Sequence, residues 1–283
     1  MKSWLEYSVL RLLALVLTRM PSGLDRPLFH VLWPIFRQVR KRELTRVQLH
    51  LSLATLPHQP TLRDVYQSLW LDGLASLRYL ARNPRQESLV KLEQSHLLQE
   101  LLDNHVPVVV VSIHIGAFEM LHRALTNFDS PVSLVAVPHR RLGVDRFLQR
   151  FRKAPNLLMM HPEEAPKILR TLIRKKGILA MMVDQSRTGK GNVVPFLGRP
   201  NSLWLRLPME ANSEGAAVVT LRVLRKGDSH ILRFETVYPP HTGPQELTQQ
   251  LTQELERWIQ ENPQQWAWNY PKLWESVEIS RNS

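Results

Sequence analysis

Residues 106–120 read VPVVVVSIHIGAFEM. Val108 to Val111 and Ile113 are β-branched, and only Ser112 interrupts them. Such a run, apolar on both faces, is the pattern of a strand buried inside a parallel sheet. It ends at His114, Gly116 permits a tight turn, and Ala117 to Leu121 reads as a helix start. A histidine at the carboxyl end of a buried strand stands where open α/β sheets hold ligands. Glu119 follows five residues later. Inside one regular helix the two would lie about 140° apart, so they converge only if His114 sits in the turn. A carboxylate beside one ring nitrogen would fix the tautomer and leave the other nitrogen to take a proton from a hydroxyl. The same pair also suits a core histidine and a carboxylate favoured by a helix N-terminus.

The segments around this stretch predict an α/β fold, a mostly parallel central sheet flanked by helices. Further strands are expected at 132–137, 157–160 and 178–183, separated by helices at 144–153 and 163–176. Residues 216–224 and 230–237 flank Lys226-Gly227-Asp228 and predict an antiparallel hairpin at one edge of the sheet. Amphipathic helices are expected at 61–82, with Thr61 as cap and Asn83-Pro84 as stop, at 93–103 and at 244–261.

A second polar constellation follows the 178–183 strand. Asp184 and Gln185 occupy the same kind of place as His114, the carboxyl end of a buried strand. Residues 184–200, DQSRTGKGNVVPFLGRP, read as a flexible glycine-bearing loop with Arg187, Lys190 and Arg199 as cations and Val193 to Leu197 as an apolar wall. Such a loop suits an amphiphile, and it lacks the spacing of a phosphate-binding P-loop.

The chain carries a formal charge of +12, and the excess is clustered. Residues 1–60 hold nine Lys/Arg against three Asp/Glu, and residues 139–176 hold eleven against three. These clusters attract polyanions: anionic lipid, nucleic acid, or a phosphorylated substrate or carrier. The absence of cysteine excludes disulfides, thiolate-held zinc and a cysteinyl acyl-enzyme. No cleavable export signal is legible, because Glu6, Arg11 and Arg19 interrupt the apolar start.

Residues 4–20 are apolar, but the run from Leu12 to Leu17 is far short of the roughly 20 residues that span a bilayer. Residues 26–48 pass from an aromatic half, with Pro34 expected to kink or divide a helix, into a basic half from Arg37 to Arg46. Both segments suit a membrane surface with anionic head groups. The division expected is therefore 1–48 as membrane-associating helices and 49–283 as the α/β domain.

The basic apolar N-terminus, HIGAFE at 114–119, and DQ…GKG…VPFLGRP together resemble the late acyltransferases of lipid A biosynthesis. These belong to the wider lysophospholipid acyltransferase group with its His-x4-Asp/Glu signature. The ending NPQQWAWNYPKLW, 262–274, is similar to that family's proline followed by Trp-x-Trp. Here Asn269-Tyr270-Pro271-Lys272 stands where the family has His-Arg-Arg, and Phe196-Leu197 where it has Phe-Phe.

The resemblance implies transfer of a fatty acyl chain from a thioester, acyl carrier protein or coenzyme A serving as co-substrate, to a hydroxyl of a membrane lipid. No cofactor and no metal is implied. His114 would be the general base and Glu119 would orient it. An arginine of the helix after the second strand, Arg150 or else Arg152, would serve the oxyanion, and Asp184, Gln185 and Arg199 would shape the acceptor site. The expected place is the bacterial inner membrane, with the site facing the cytoplasm. A lysophospholipid or another glycolipid stands as an alternative acceptor. An acidic carrier protein would dock on the basic 139–176 segment.

Other classes fit less well. A non-catalytic binder of anionic lipid or nucleic acid would use the same basic clusters, but the aromatic residues sit in apolar helices, not on a basic stacking platform. A serine hydrolase would need G-x-S-x-G, which the sequence lacks, and the eleven histidines show no H-E-x-x-H.

Overall fold

The computed structural model describes residues 2–81, 84–186, 191–270 and Leu273. Three helices open the chain: α1 (Lys2–Arg19), α2 (Asp25–Val39) and α3 (Lys41–Leu53). Then come α4 (Leu62–Leu80), α5 (Pro84–Glu87), β1 (Val90–Glu93), α6 (His96–Asp103), β2 (Val108–Ser112), a 3-10 turn at Phe118–Met120 and α7 (Leu121–Leu125). The sheet continues through β3 (Val132–Val135), α8 (Leu142–Phe151), β4 (Leu157–Met160), α9 (Ala165–Lys175) and β5 (Ile178–Met182). After it stand β6 (Asn192–Phe196), β7 (Arg199–Leu203), α10 (Arg206–Ser213), β8 (Ala217–Lys226), β9 (Ser229–Tyr238) and α11 (Pro244–Glu261).

Seven strands form one sheet in the order β1-β9-β8-β2-β5-β3-β4. All neighbours run parallel except β8 and β9. β2 lies between β8 and β5, and its five residues are fully buried, as the two-faced apolar run requires. Fully burying each valine side chain is worth about 1.5–3 kcal/mol, so this strand anchors both faces of the core. Ser112 pairs with Met182, so β2 and β5 end level with each other. The chain leaves β2 toward β3 on one side and leaves β5 toward β8 on the other. That reversal is a topological switch point, which opens a crevice beyond the two carboxyl ends.

Three local expectations are corrected. The β8–β9 hairpin is interior, because β8 also pairs with β2, and the short strand β1 forms the edge instead. Helix α2 is not divided at Pro34; the chain divides instead at Arg40, whose φ of −109° and ψ of 27° leave the helical region. Stacked contacts among buried Phe29 and partly buried Trp33 and Phe36 hold the helix together across the missing N–H. Within 184–200, the described residues from Asn192 onward are the start of the β6–β7 hairpin, not an open loop. Its tip, Leu197-Gly198, has positive φ at both residues (53° and 79°), the geometry of a type I′ turn. Arg187, Gly189 and Lys190, and the Asn83 stop, lie outside the described residues.

The N-terminal helices rest on the α/β body. Thr61 and Asp64 close a capping box at the start of α4. Arg78 of α4 is buried against Asp25 of α2, Nη2 to Oδ1 at 2.7 Å. Glu6 of α1 pairs with Arg141, and Arg146 of α8 lies 5.4 Å above the Trp4 ring. Among the described residues no helix is long and apolar enough to cross a membrane.

Candidate active site

His114 and Asp184 each lie two residues beyond the paired ends Ser112 and Met182. Register alone therefore brings them together. His114 Nδ1 stands 2.7 Å from Asp184 Oδ1, and the His114 backbone N–H donates to Asp184 Oδ2 at 3.0 Å. The Trp266 indole N–H donates to the same Oδ2 at 2.7 Å. Asp184 is 1% exposed. Burial pushes its carboxyl up, but the His114 ring, the indole and the backbone N–H together outweigh that and hold it below the usual carboxylate range. An ionised Asp184 favours the Nδ1–H tautomer, which leaves Nε2 as the nitrogen able to accept a proton.

The turn that carries His114 is built locally. The Ile115 N–H donates to the Ile113 carbonyl at 2.8 Å, closing a three-residue turn around His114. Gly116 has φ of 59°, and a Cβ there would stand 2.6 Å from the Val223 carbonyl oxygen of β8. Both the backbone conformation and the close approach require glycine. The C-terminal arm braces the turn from the other side. The Gly116 N–H donates to the Gln265 carbonyl and the Ala267 N–H to the His114 carbonyl, both at 2.9 Å.

Glu119 takes a different place from the expected one. Its carboxylate is a bidentate acceptor for Arg152, with Nε at 3.1 Å from Oε2, and His122 Nδ1 stands 3.9 Å away. Burial raises its carboxyl, but Arg152, and to a lesser degree His122 and His114, bring it below the usual range. Glu119 thus makes no bond to the His114 ring, and Asp184 stands at Nδ1 instead. The five-residue spacing put Glu119 in the 3-10 turn, where the guanidinium just past α8 reaches it first.

The remaining expected residues are spread out. Arg152 meets Glu119, whereas Arg150 is exposed in the last turn of α8. Gln185 is half-buried beside Asp184. Arg199 is exposed, and its Nε donates to the Leu53 carbonyl at 3.3 Å, tying the β6–β7 hairpin to α3.

A cavity of about 380 Å³ opens beside the cluster. Gly116, Phe118 and Glu119 form one wall, α4 supplies Leu69, Gly73 and Leu77, and α8 supplies Phe147 and Leu148. Its size and apolar lining suit a hydrocarbon chain. That α4 faces this cavity was not legible from its amphipathic pattern, although a Cβ at Gly73 would meet open space. Trp266 was legible only as part of a Trp-x-Trp ending. A larger open groove, about 610 Å³ along α2 and α3, shares no lining residue with the cluster.

An imidazole oriented by a buried carboxylate, at the rim of a parallel sheet and beside an apolar cavity, is the equipment of an α/β enzyme acting on long-chain substrates. The family model of the bacterial lipid A biosynthesis acyltransferases matches residues 75–275, more than two thirds of the chain, and the protein belongs to that family. It is therefore an acyltransferase of the lipid A and lipopolysaccharide class. No curated protein matches the chain.

Proposed function

We propose that the protein is a membrane-bound O-acyltransferase that moves a fatty acyl chain from a thioester to a hydroxyl of a lipid A precursor. The observation that carries this reading is the His114–Asp184 pair set beside the apolar cavity within the matched family region. The acyl chain lies in the cavity with its thioester carbonyl toward His114. His114 Nε2 takes the proton of the acceptor hydroxyl as its oxygen attacks the carbonyl carbon. Asp184 holds the ring and balances the imidazolium. Arg152, fixed by Glu119 on the cavity wall, offers positive charge to the developing oxyanion. Collapse breaks the carbon–sulfur bond, and the departing thiolate receives the proton from His114. Gln185 and Arg199 border the acceptor, and Arg150, exposed in a basic segment, meets the donor. The basic 139–176 surface favours an acidic acyl carrier protein over coenzyme A.

Membrane binding rests on residues 1–48. Trp4, Leu5, Leu12, Val31, Ile35 and Val39 are all exposed apolar side chains on α1 and α2, and Arg11, Arg19, Arg37 and Lys41 are exposed cations on the same helices and the start of α3. That composition suits burial in the interface of the bacterial inner membrane, with the site on the cytoplasmic side. Retention in the membrane pellet through a high-salt wash is the expected result, and release by salt alone would remove this part of the reading.

The test is transfer in vitro from acyl carrier protein and from coenzyme A thioesters, with a lipid A precursor and a lysophospholipid as rival acceptors and mass spectrometry as readout. His114→Ala is expected to lose about 10²–10⁴-fold in rate while remaining folded. Full activity in His114→Ala would discard the mechanism, and acylation of the lysophospholipid alone would replace the acceptor.

A further inference from the structure

Trp266 is fully buried, and the cluster uses the one polar atom of its side chain. Its ring lies edge-on to Trp268 at 4.7 Å and inclined to Phe196 at 6.1 Å, so packing fixes the direction of the N–H. Its backbone forms an antiparallel bridge with Ile115, between the two hydrogen bonds that bracket His114 to Gly116. The residue therefore arrives at Asp184 from a segment 82 positions away, on a backbone locked to the same turn that carries the imidazole.

Asp184 Oδ2 accepts from two donors, the His114 backbone N–H and the indole, whereas Oδ1 faces the ring. Each neutral donor draws charge toward Oδ2 and away from the oxygen that meets Nδ1. We propose that Trp266 is a positioning residue that limits how strongly Asp184 pulls on the His114 ring proton, and so sets the pH above which His114 acts as a base. This rests on the reading of His114 as the general base.

The other charged groups around the turn are Glu119 with His122 on α7 and Arg152 past α8, and, behind Gly116 and Gln265, Asp72 of α4 with Arg225 of β8 and His230 of β9. Arg152 bonds Glu119, and Arg225 and His230 face Asp72, so removing the indole N–H leaves these contacts in place. With that donor gone, the carboxylate still keeps the His114 backbone N–H and compensates through Oδ1. The imidazolium is then favoured, and His114 stays protonated to higher pH.

Two variants test this. Trp266→Phe removes the N–H and some volume. Site-specific replacement of Trp266 by 3-benzothienylalanine puts sulfur where the N–H was and keeps the ring outline, which guards against a packing effect. His114 is followed by NMR of ring-15N-labelled histidine, alongside the pH dependence of kcat/KM. In the benzothienyl protein both the His114 titration and the acid limb of kcat/KM are expected to move up by about half a unit to one unit. An unshifted titration in that protein would overturn the proposal, because a purely structural role lowers the rate without moving the profile. The NMR titration needs no turnover, so it stands or falls separately from His114→Ala, which tests the base itself.

Discussion

Asp184 and Glu119 are both carboxylates near one histidine, and they reached it by different routes. Asp184 is 70 residues from His114 and touches its ring, because two parallel strands end level and each adds two residues. Glu119 is five residues away and touches Arg152 instead, because a 3-10 turn aims it along the cavity wall toward α8. In this fold, register across the sheet is the stronger way to place a side chain than nearness along the chain. The carboxylate at the strand end is seated by three N–H donors and is almost wholly enclosed. The one on the turn keeps a fifth of its side chain exposed and answers to a single guanidinium and a more distant imidazole.

Removing the charge at each carboxylate separates their parts. Asp184→Asn takes the acceptor from His114 Nδ1 and presents an amide, so the ring loses both its tautomer and its charge balance. A loss of about 10²–10⁴-fold in kcat/KM is expected, with a smaller change in KM, measured by initial rates with a labelled acyl donor. Glu119→Gln leaves the His114 ring untouched and frees Arg152 from its partner on the cavity wall. A loss of about tenfold is expected, since it disturbs positioning and not proton transfer. If Glu119→Gln proved the more damaging, the orienting role would pass back to Glu119 and the geometry of the pair would need another explanation.

That contrast also marks what the sequence could tell. The valine run at 108–111 disclosed a strand buried on both faces, and the polar residues after two such runs pointed to the candidate site. Adjacency of β2 and β5 was not legible, since strand order depends on which crossovers pack, and no single strand records its neighbour. Nearness in sequence therefore suggested Glu119 as the partner, while Asp184 was recognised only as sharing the same kind of position. The ending at 262–274 stood out as a Trp-x-Trp motif, but its brace on the His114 turn was not legible: the bonds from 265–267 to His114 and Gly116 are backbone bonds, which any residue types could make. Pro34 and the 184–200 stretch show the opposite limit. There a local signal was strong, and buried contacts from elsewhere in the chain overrode it.

The difference between the two carboxylates should also be visible in stability, where the effect is smallest. Both carboxyls are held below their ordinary range in the folded protein. Such a group binds a proton more readily when unfolded, so its contribution to stability is complete above the unfolded value near 4 and drains away as pH falls through the lower folded value. Asp184, enclosed among fixed donors, has no water to replace them once it is neutral. Glu119, at the cavity wall, has water within reach. Denaturant titrations between about pH 6 and pH 2.5 should show stability falling with acid in the wild type. The fall should be shallower in Asp184→Asn and only slightly changed in Glu119→Gln. Equal slopes for wild type and Asp184→Asn would mean that the buried carboxylate is not ionised by its neighbours, and the account of how Asp184 holds the imidazole would fail with it.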